Sequence, residues 1–538
     1  MSITTDALVD LPYRRKLLVI VALSATLFVT SISQTVVATA AQSIVSDIGG
    51  FNLFTWLFAG FSLAGAVIVP IVGKLSDVVG RKTVILWALG VFVVASMAAG
   101  FSQTMTQLVI IRVIQGAGFA GAMGSVWIIM AAMWAPEQRA KWMGVTTASF
   151  TLSGVLGPII GGVVSDFTSW RIIFFMNVPL GGMALLLLWI WLPGHRTNRG
   201  KTNFDIAGTT AFVIFSTAIL FGFSIGGDSV DWISPVMGLL GLTALVGFVS
   251  FVWIELRASD PLIPIALFKS RVFSGAMVGS LTITMGFITT TAFLPLFVQG
   301  AKGATATQSA YPLMTLALGV AVGANVSGQL LSRFNRPREG GVFGMTIAGA
   351  ILWYVGGMTT STSMLDISLA TIVLGIGMSF GWTSFTAPVQ NAMPPRVLGV
   401  VTSSLQFARM FGMAAAAAAL GSIMASGLTA NFGSDLTGPA AAFEDAELLI
   451  SDEELESVRL EFIAHPDLDE DAYFATLATA RTGLADALSV VFRISAVACG
   501  IGVPVSMIAF HNYRVWREED ELEGAAARPL GEPAPASD

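Results

Sequence analysis

Gly73-Lys74-Leu75-Ser76-Asp77-Val78-Val79-Gly80-Arg81-Lys82 is a charged stretch set between two long apolar runs. Apolar runs alone place a chain in a membrane and say little more. An acid and several bases in a short segment bounded by glycines say that two helices meet there in a defined geometry. Gly73 and Gly80 allow close backbone approach or a sharp turn. Asp77 and Arg81 are four residues apart, so they can pair or reach a nearby helix end.

Outward from this stretch, the chain has 538 residues, 54% hydrophobic and 12% charged, with a mean hydropathy of +0.77. Soluble proteins carry about 25% charged residues, so most of this chain is expected in lipid. The net charge of −6 decides nothing, because the charges are segregated. Fourteen apolar runs reach the roughly 20 residues that a bilayer crossing needs. They lie near 17–40, 53–73, 83–101, 107–134, 141–165, 170–193, 206–225, 232–254, 273–299, 309–331, 341–359, 366–391, 400–428 and 486–510. Gly and Pro within them are compatible with spanning helices.

Basic residues gather in alternate loops: Arg81-Lys82, Arg139 with Lys141, Arg196 to Lys201, Lys269 with Arg271, Arg333 to Arg338, and Arg396. The positive-inside rule then puts both termini in the cytoplasm, in agreement with an even number of spans. The first run follows Arg14-Arg15-Lys16 and lacks a clear cleavage site, so it reads as a retained span. One cysteine, Cys499, excludes a disulfide framework within the chain. The three histidines lie outside the runs and form no metal-ligand cluster. There is no Gly-x-x-x-x-Gly-Lys-Ser/Thr phosphate loop, so ATP is not the expected energy source. No nucleophile–base constellation stands out either. We therefore expect no enzyme, no cofactor and no nucleic-acid partner.

The stretch at 73–82 resembles the loop between helices 2 and 3 of the major facilitator superfamily, roughly Gly-x-x-x-Asp-x-x-Gly-Arg-Lys/Arg. Gly73, Asp77, Gly80, Arg81 and Lys82 match every position. The resemblance implies a latch that holds two halves in the outward-facing state. A weaker copy, Gly328-Gln-Leu-Leu-Ser332-Arg333-Phe-Asn-Arg336, follows the tenth run and points to two related halves. Glu255-Leu-Arg257, Asp260-Pro261-Leu-Ile-Pro264, Leu267-Phe268 and Arg271-Val-Phe273 resemble the linker after helix 8 in the fourteen-helix drug:proton antiporter branch. So do Trp170-Arg171 with Asn177-Val-Pro179, and Asn391-Ala-Met-Pro394 with Gly399.

The implied fold is all-α integral membrane: a major facilitator fold of two six-helix bundles plus two inserted helices, fourteen transmembrane helices in all. The expected divisions are a cytoplasmic tail 1–16, an N-terminal bundle 17–193 and a linker with two inserted helices 194–272. A C-terminal bundle 273–510 and a cytoplasmic tail 511–538 follow. The C-terminal bundle includes a strongly acidic segment, 429–485, placed outside the cell. Within it, 452–462 mixes acids with Leu455, Val458 and Leu460, as a short amphipathic helix would. It is a solvated loop, a cap over the outer mouth, or a surface for a partner.

In the fourth run, Arg112-Val-Ile-Gln115-Gly116-Ala-Gly118 sets a cation inside a span, where it needs a partner or a wet cavity. Arg112, Gln115 and Phe119 share one helical face. The family pattern there is Arg-x-x-Gln-Gly, and the resemblance links its arginine to proton transfer or substrate charge. Gly154, Gly157, Pro158, Gly161 and Gly162 in the fifth run make a small-residue face with a bend. This resembles the antiporter motif of exporters, with a packing and hinge role. The thirteenth run carries Gln406 and Arg409 one turn apart. Trp56, Trp127, Trp382, Phe385, Gln390 and Phe407 are candidates to line a broad cavity, though packing accounts for each singly.

One departure stands out. The fourteen-helix antiporters carry an acid in helix 1, in a pattern like Asp-x-Thr-Ile-Val. Here the stretch reads Ser33-Gln34-Thr35-Val36-Val37, with Ser33 in the acid's place. No Asp or Glu lies near the middle of any run. Gln34, Thr35, Arg112, Gln115, Gln406 and Arg409 are the candidate substrate or proton site. The resemblance implies a monomeric exporter in a bacterial cell membrane, surrounded by lipid, that moves a small amphipathic compound with the proton as coupling ion. Export of a lipid or anionic metabolite is the alternative. Outside transport, the alternative is a non-transporting receptor or assembly factor.

Overall fold

The computed structural model describes residues 11–49, 53–167, 169–194, 205–226, 230–394, 397–432, 442–443, 448–450, 452–464 and 470–515. Helices account for nearly all of them, and no named strand occurs among them. In chain order these are α1 (Tyr13–Ile48), α2 (Phe54–Val79), α3 (Arg81–Gly100), α4 (Met105–Met133), α5 (Pro136–Phe167), α6 (Arg171–Phe175), α7 (Asn177–Trp191), α8 (Ile206–Ile225) and α9 (Pro235–Glu255). They continue with α10 (Arg271–Ile288), α11 (Leu294–Leu296), α12 (Ala306–Phe334), α13 (Pro337–Val355), α14 (Met364–Asn391), α15 (Leu398–Phe432), α16 (Asp452–Ala464) and α17 (Glu470–Ala509). Helices α6 and α7 form one broken rod, interrupted at Met176. Two π-helical stretches join α10 and α11 into another.

Twelve of these rods are long and apolar enough to cross a bilayer. Helices α5 and α13 stand outside the twelve; α13 opens with Arg338 and Glu339, and α5 with Glu137, Arg139 and Lys141. The helix starts are written locally. Thr104, Asp205, Ser234, Ser270 and Ser363 each accept a hydrogen bond from the third backbone N–H onward. Thr305 and Gln308 form a reciprocal capping box. Each satisfies donors that lipid cannot.

The buried side chains fall into separate cores. One joins α1 to α4 with α7 through Leu23, Leu27, Leu89, Phe92 and Phe119, and a smaller one lies beside it at Ile32, Leu57, Leu108 and Phe174. Another joins α10, α13, α14, α15 and α17 through Phe273, Leu352, Met378, Phe385 and Phe492. Two halves result. They meet where α2 packs on α15 and α5 packs on α12.

Helices α8 and α9 pair with each other around Phe212 and Phe251. Helix α8 also lies across the seam between the halves. Its Leu220 packs with Ala66 and Val67 of α2 and with Met410 and Phe411 of α15. Trp56 packs against Phe221 with ring centroids 5.1 Å apart, and Phe407 meets Phe212 edge-to-face at 5.0 Å. These two aromatics, candidates for the cavity wall, pack instead against the insertion. The outer side of α9 exposes Leu239, Leu242, Leu245, Val246 and Val249, a continuous apolar surface that suits lipid and not water.

The acidic segment differs from a solvated loop wherever it is described. Leu455, Val458 and Phe462 of α16 bury against Phe443, Tyr473 and Leu477. Arg459 bridges Glu456 and Glu470. Helix α17 starts at Glu470, well before the apolar run at 486–510, because its first turns have this small core to cover.

Candidate functional site

The α2–α3 stretch closes one end of the molecule, the basic face. Gly80 ends α2 with φ +104°, in the left-handed region that a side chain resists. The turn carries α2 against the start of α15. A Cβ on Gly73 would fall 2.1 Å from Ser403 Oγ and 2.8 Å from the Gly399 carbonyl oxygen. A Cβ on Gly399 would fall 2.6 Å from Asp77 Oδ2. The Asp77 carboxylate, 8% exposed, thus sits at the N-terminal end of α15, where backbone N–H groups favour negative charge. Arg81 and Lys82 open α3, and Lys82 Nζ donates to the Trp189 carbonyl at 2.6 Å.

Two further contacts close the same face. Lys74 forms an ion pair with Asp260 of the segment after α9. That segment is itself held by Glu255, whose carboxylate accepts from the N–H groups of Leu262 (3.0 Å) and Ile263 (3.3 Å). From α5, Arg139 donates to the Gln390 carbonyl (3.0 Å) and to Asn391 Oδ1 (2.9 Å) of α14. Among the described residues the weaker sequence copy shows no such link. Ser332 donates to Gln329 of its own helix at 2.9 Å, and Asn335, φ +48°, ends α12.

Away from this face, Arg112 is fully buried on α4. Its Nε donates to the Leu57 carbonyl (3.3 Å), its Nη1 donates to Gln115 Oε1 (2.8 Å), and its guanidinium lies over Phe61 at 4.0 Å. The Gln115 amide donates to Ser96 Oγ (3.0 Å) and Ser33 Oγ (3.4 Å). The Asn177 amide donates to the same two hydroxyls, at 2.9 and 3.0 Å. Ser96 in turn donates to the Phe174 carbonyl at 3.1 Å. Five rods therefore meet in one polar network within the N-terminal half.

Ser33, in the place of the family's helix 1 acid, receives two amide donors there. Gln34 is half-buried beside the network, and the Thr35 side chain lies outside the described residues. Asn177 and Ser96 gained no role from sequence. The usable signal was polarity inside an apolar run, which needs a partner; the break before Asn177 in the α6–α7 rod was not legible.

Arg409 on α15 has a similar setting. Its Nη1 donates to Gln406 Oε1 (2.5 Å), its Nη2 to Thr386 Oγ1, and its guanidinium lies over Trp382 at 4.4 Å. The two arginines do not share one hydrogen-bonded cluster. Each is held in its own half, and no acid pairs with either among the described residues. Arg112 Nη2 and Arg409 Nε are buried without a hydrogen-bond partner among those residues.

Of the small-residue motif, Gly154 is exposed on α5 while Gly157 and Gly161 are buried; the surroundings of Pro158 and Gly162 lie outside the described residues. Two open grooves flank the insertion, one of ≈ 590 Å³ between Phe223, Trp232 and Ser422, the other of ≈ 620 Å³ between α8 and α9. Neither reaches an arginine. No group of three or more His, Cys, Asp or Glu side chains is placed to hold a metal among the described residues.

Residues 23–417 match the sequence profile of the Major Facilitator Superfamily. The chain is 33% identical over 416 residues to the Multidrug transporter protein MdtP of Bacillus subtilis (strain 168), covering 76% of this chain and 75% of that protein. It is 32% identical over 395 residues to Multidrug resistance protein 3 of the same organism, covering 72% and 75%. Among solved structures, the human organic anion transporter MFSD10 superposes with a TM-score of 0.57 over 91% of this chain and all of the other, at 13% identity. At that identity the likeness speaks for the fold alone.

Proposed function

The chain belongs to the Major Facilitator Superfamily, and from that premise we propose that it is a secondary active exporter of small amphipathic compounds, driven by protons through alternating access. The observation that carries this reading is the closed basic face. Three separate contacts join the halves or the insertion there: Gly73 and Asp77 on α15, Arg139 on α14, and Lys74 on Asp260. A latch concentrated at one end suits a cycle in which that end opens and closes. The relatives named for multidrug transport support the cargo class.

The basic face is assigned to the cytoplasm by the positive-inside rule, in a bacterial plasma membrane with fourteen spans. Helix α5, which carries the small-residue motif, packs on α1 of its own half and on α12 of the other, and small residues on such a helix make sliding sterically cheap. A proton needs a carrier, and no span holds a carboxylate at its middle. Asp77 at the face, or a titrating group on the cargo itself, is left for that task.

Reconstituted vesicles loaded with amphipathic dyes test the reading. Export that rises with an imposed pH gradient and vanishes when the gradient is collapsed is the expected result. Export that ignores the gradient refutes proton coupling, and no movement of any dye under any gradient refutes the exporter reading.

A further inference from the structure

We propose that the exported compound carries a negatively charged group, and that Arg409 is the residue that receives it. This rests on the exporter reading and names the substrate class of the same site. Among the described residues, two guanidinium groups lie inside the membrane domain with only neutral partners: Leu57, Gln115 and Phe61 for one, Gln406, Thr386 and Trp382 for the other. Each keeps one buried nitrogen without an acceptor among those residues. No Asp or Glu lies near the middle of any span, and none occurs from 83 to 136, from 261 to 338, or from 367 to 434. Removing a charge from water is unfavourable unless an opposite charge arrives. Lipophilic cations would add a third positive charge to the same interior, while an anion would neutralise one already there.

The donor pattern around Ser33 agrees. Where the family's acid would stand, the Gln115 and Asn177 amides direct N–H groups at two hydroxyls. This part of the chain is rich in donors and lacks the carboxylate that would draw a cation.

Arg409 is the receiving residue because of where it lies. Arg112 is enclosed by α1, α2, α3 and α7 of a single half and is anchored to a backbone carbonyl. Arg409 is on α15, which forms the seam with α2 and α4. Its neighbour Met410 reaches across, within 3.2 Å of where a Cβ on Gly65 would sit. Separation of the halves uncovers the seam first. Among the described residues the hydrogen bonds that Arg409 makes are to side chains, which can turn aside for a carboxylate, sulfate or phosphate oxygen. A guanidinium offers such a group a paired set of donors.

The test uses the full chain in nanodiscs and three dansylated alkyl probes of equal length, ending in a carboxylate, its methyl ester or an amine. The carboxylate should bind about tenfold or more tighter than the ester or the amine, as expected when a charge-assisted hydrogen bond replaces a neutral one. Arg409→Gln should remove that preference. Equal or tighter binding of ester or amine by the unaltered chain overturns the proposal, as does an undiminished carboxylate preference in Arg409→Gln. If that variant does not fold, Arg409→Lys carries the test: the preference should survive with the charge, and its loss overturns the proposal. Vesicle export of the amine or ester without anion preference defeats the anion proposal and leaves the exporter reading standing. Absence of any export defeats the exporter reading, whatever the binding series shows.

Discussion

Arg112 and Arg409 have nearly the same surroundings and differ in what holds them. Each has a glutamine one turn away, an aromatic ring from a neighbouring helix under its guanidinium, and no acid partner among the described residues. Arg112 is fastened to the Leu57 carbonyl and, through Gln115, to hydroxyls on two more helices. Arg409 is fastened to two side chains on α14 and α15. A backbone anchor moves only when its helix moves, whereas a side-chain anchor can exchange. The same residue type thus serves as a fixed strut in one half and an exchangeable donor in the other.

The comparison breaks most sharply on stability. Arg112→Ala leaves Gln115 Oε1 and the Leu57 carbonyl without their donor and detaches α2 from the polar network, so thermal unfolding in detergent should show a loss on the order of 3 kcal/mol. Arg409→Gln should cost less than about 1 kcal/mol, because its partners are side chains that can re-pair with the new amide. The reverse ranking would undo the distinction between strut and donor.

A second effect belongs to the closed face, whose contacts are as fixed as those of Arg112. Gly399→Val drives a side chain into Asp77 and the Gly73 carbonyl. Overpacking of this kind costs about 1–3 kcal/mol, which should fall on the closed state and cut transport by about tenfold or more at normal expression. Asp77→Asn, which keeps the shape and removes the charge, should cut it less. Full transport by both would mean that the face is not a latch.

The Lys74–Asp260 pair is smaller still. It is partly exposed, so single charge reversals should shift the closed state by about 1 kcal/mol or less. The double exchange Lys74→Asp with Asp260→Lys should restore transport; rescue by neither the double exchange nor either single one would remove the insertion from the latch.

The smallest effect lies at the opposite end. Hydrogen bonds and charge from Arg171, with a hydrogen bond from Trp170, hold the Asp47 carboxyl below its ordinary value of 3.8. Its contribution is therefore complete above pH 3.8 and is lost as pH falls through the lower folded value. Unfolding followed below pH 4 should lose a shallow acid-dependent component in Asp47→Asn; an unchanged profile would show the pair to be idle.

Much of this protein could be read along the chain. The runs gave the rods, since lipid demands about 20 apolar residues and internally bonded backbone. The spacing of Gly73, Asp77 and Gly80 gave the turn, because only glycine adopts the Gly80 backbone without strain. The absence of acids from the middle of the spans was equally plain, as was the amphipathic α16.

Other features depend on which rods become neighbours, and hydropathy is silent on that. Sequence marks Arg112 and Arg409 alike as cations in lipid. That one is tied to a carbonyl across five rods and the other to two movable side chains follows from helix packing. So does the lodging of Trp56 and Phe407 against α8 instead of a cavity, because the inserted helix lies across the seam. Composition and spacing determined that the chain crosses a membrane, turns at Gly80 and carries uncompensated positive charge. Tertiary structure alone decided which of those charges is anchored to backbone and which lies on the helix at the seam between the halves, since contacts between residues far apart along the chain are set by packing and not by local preference.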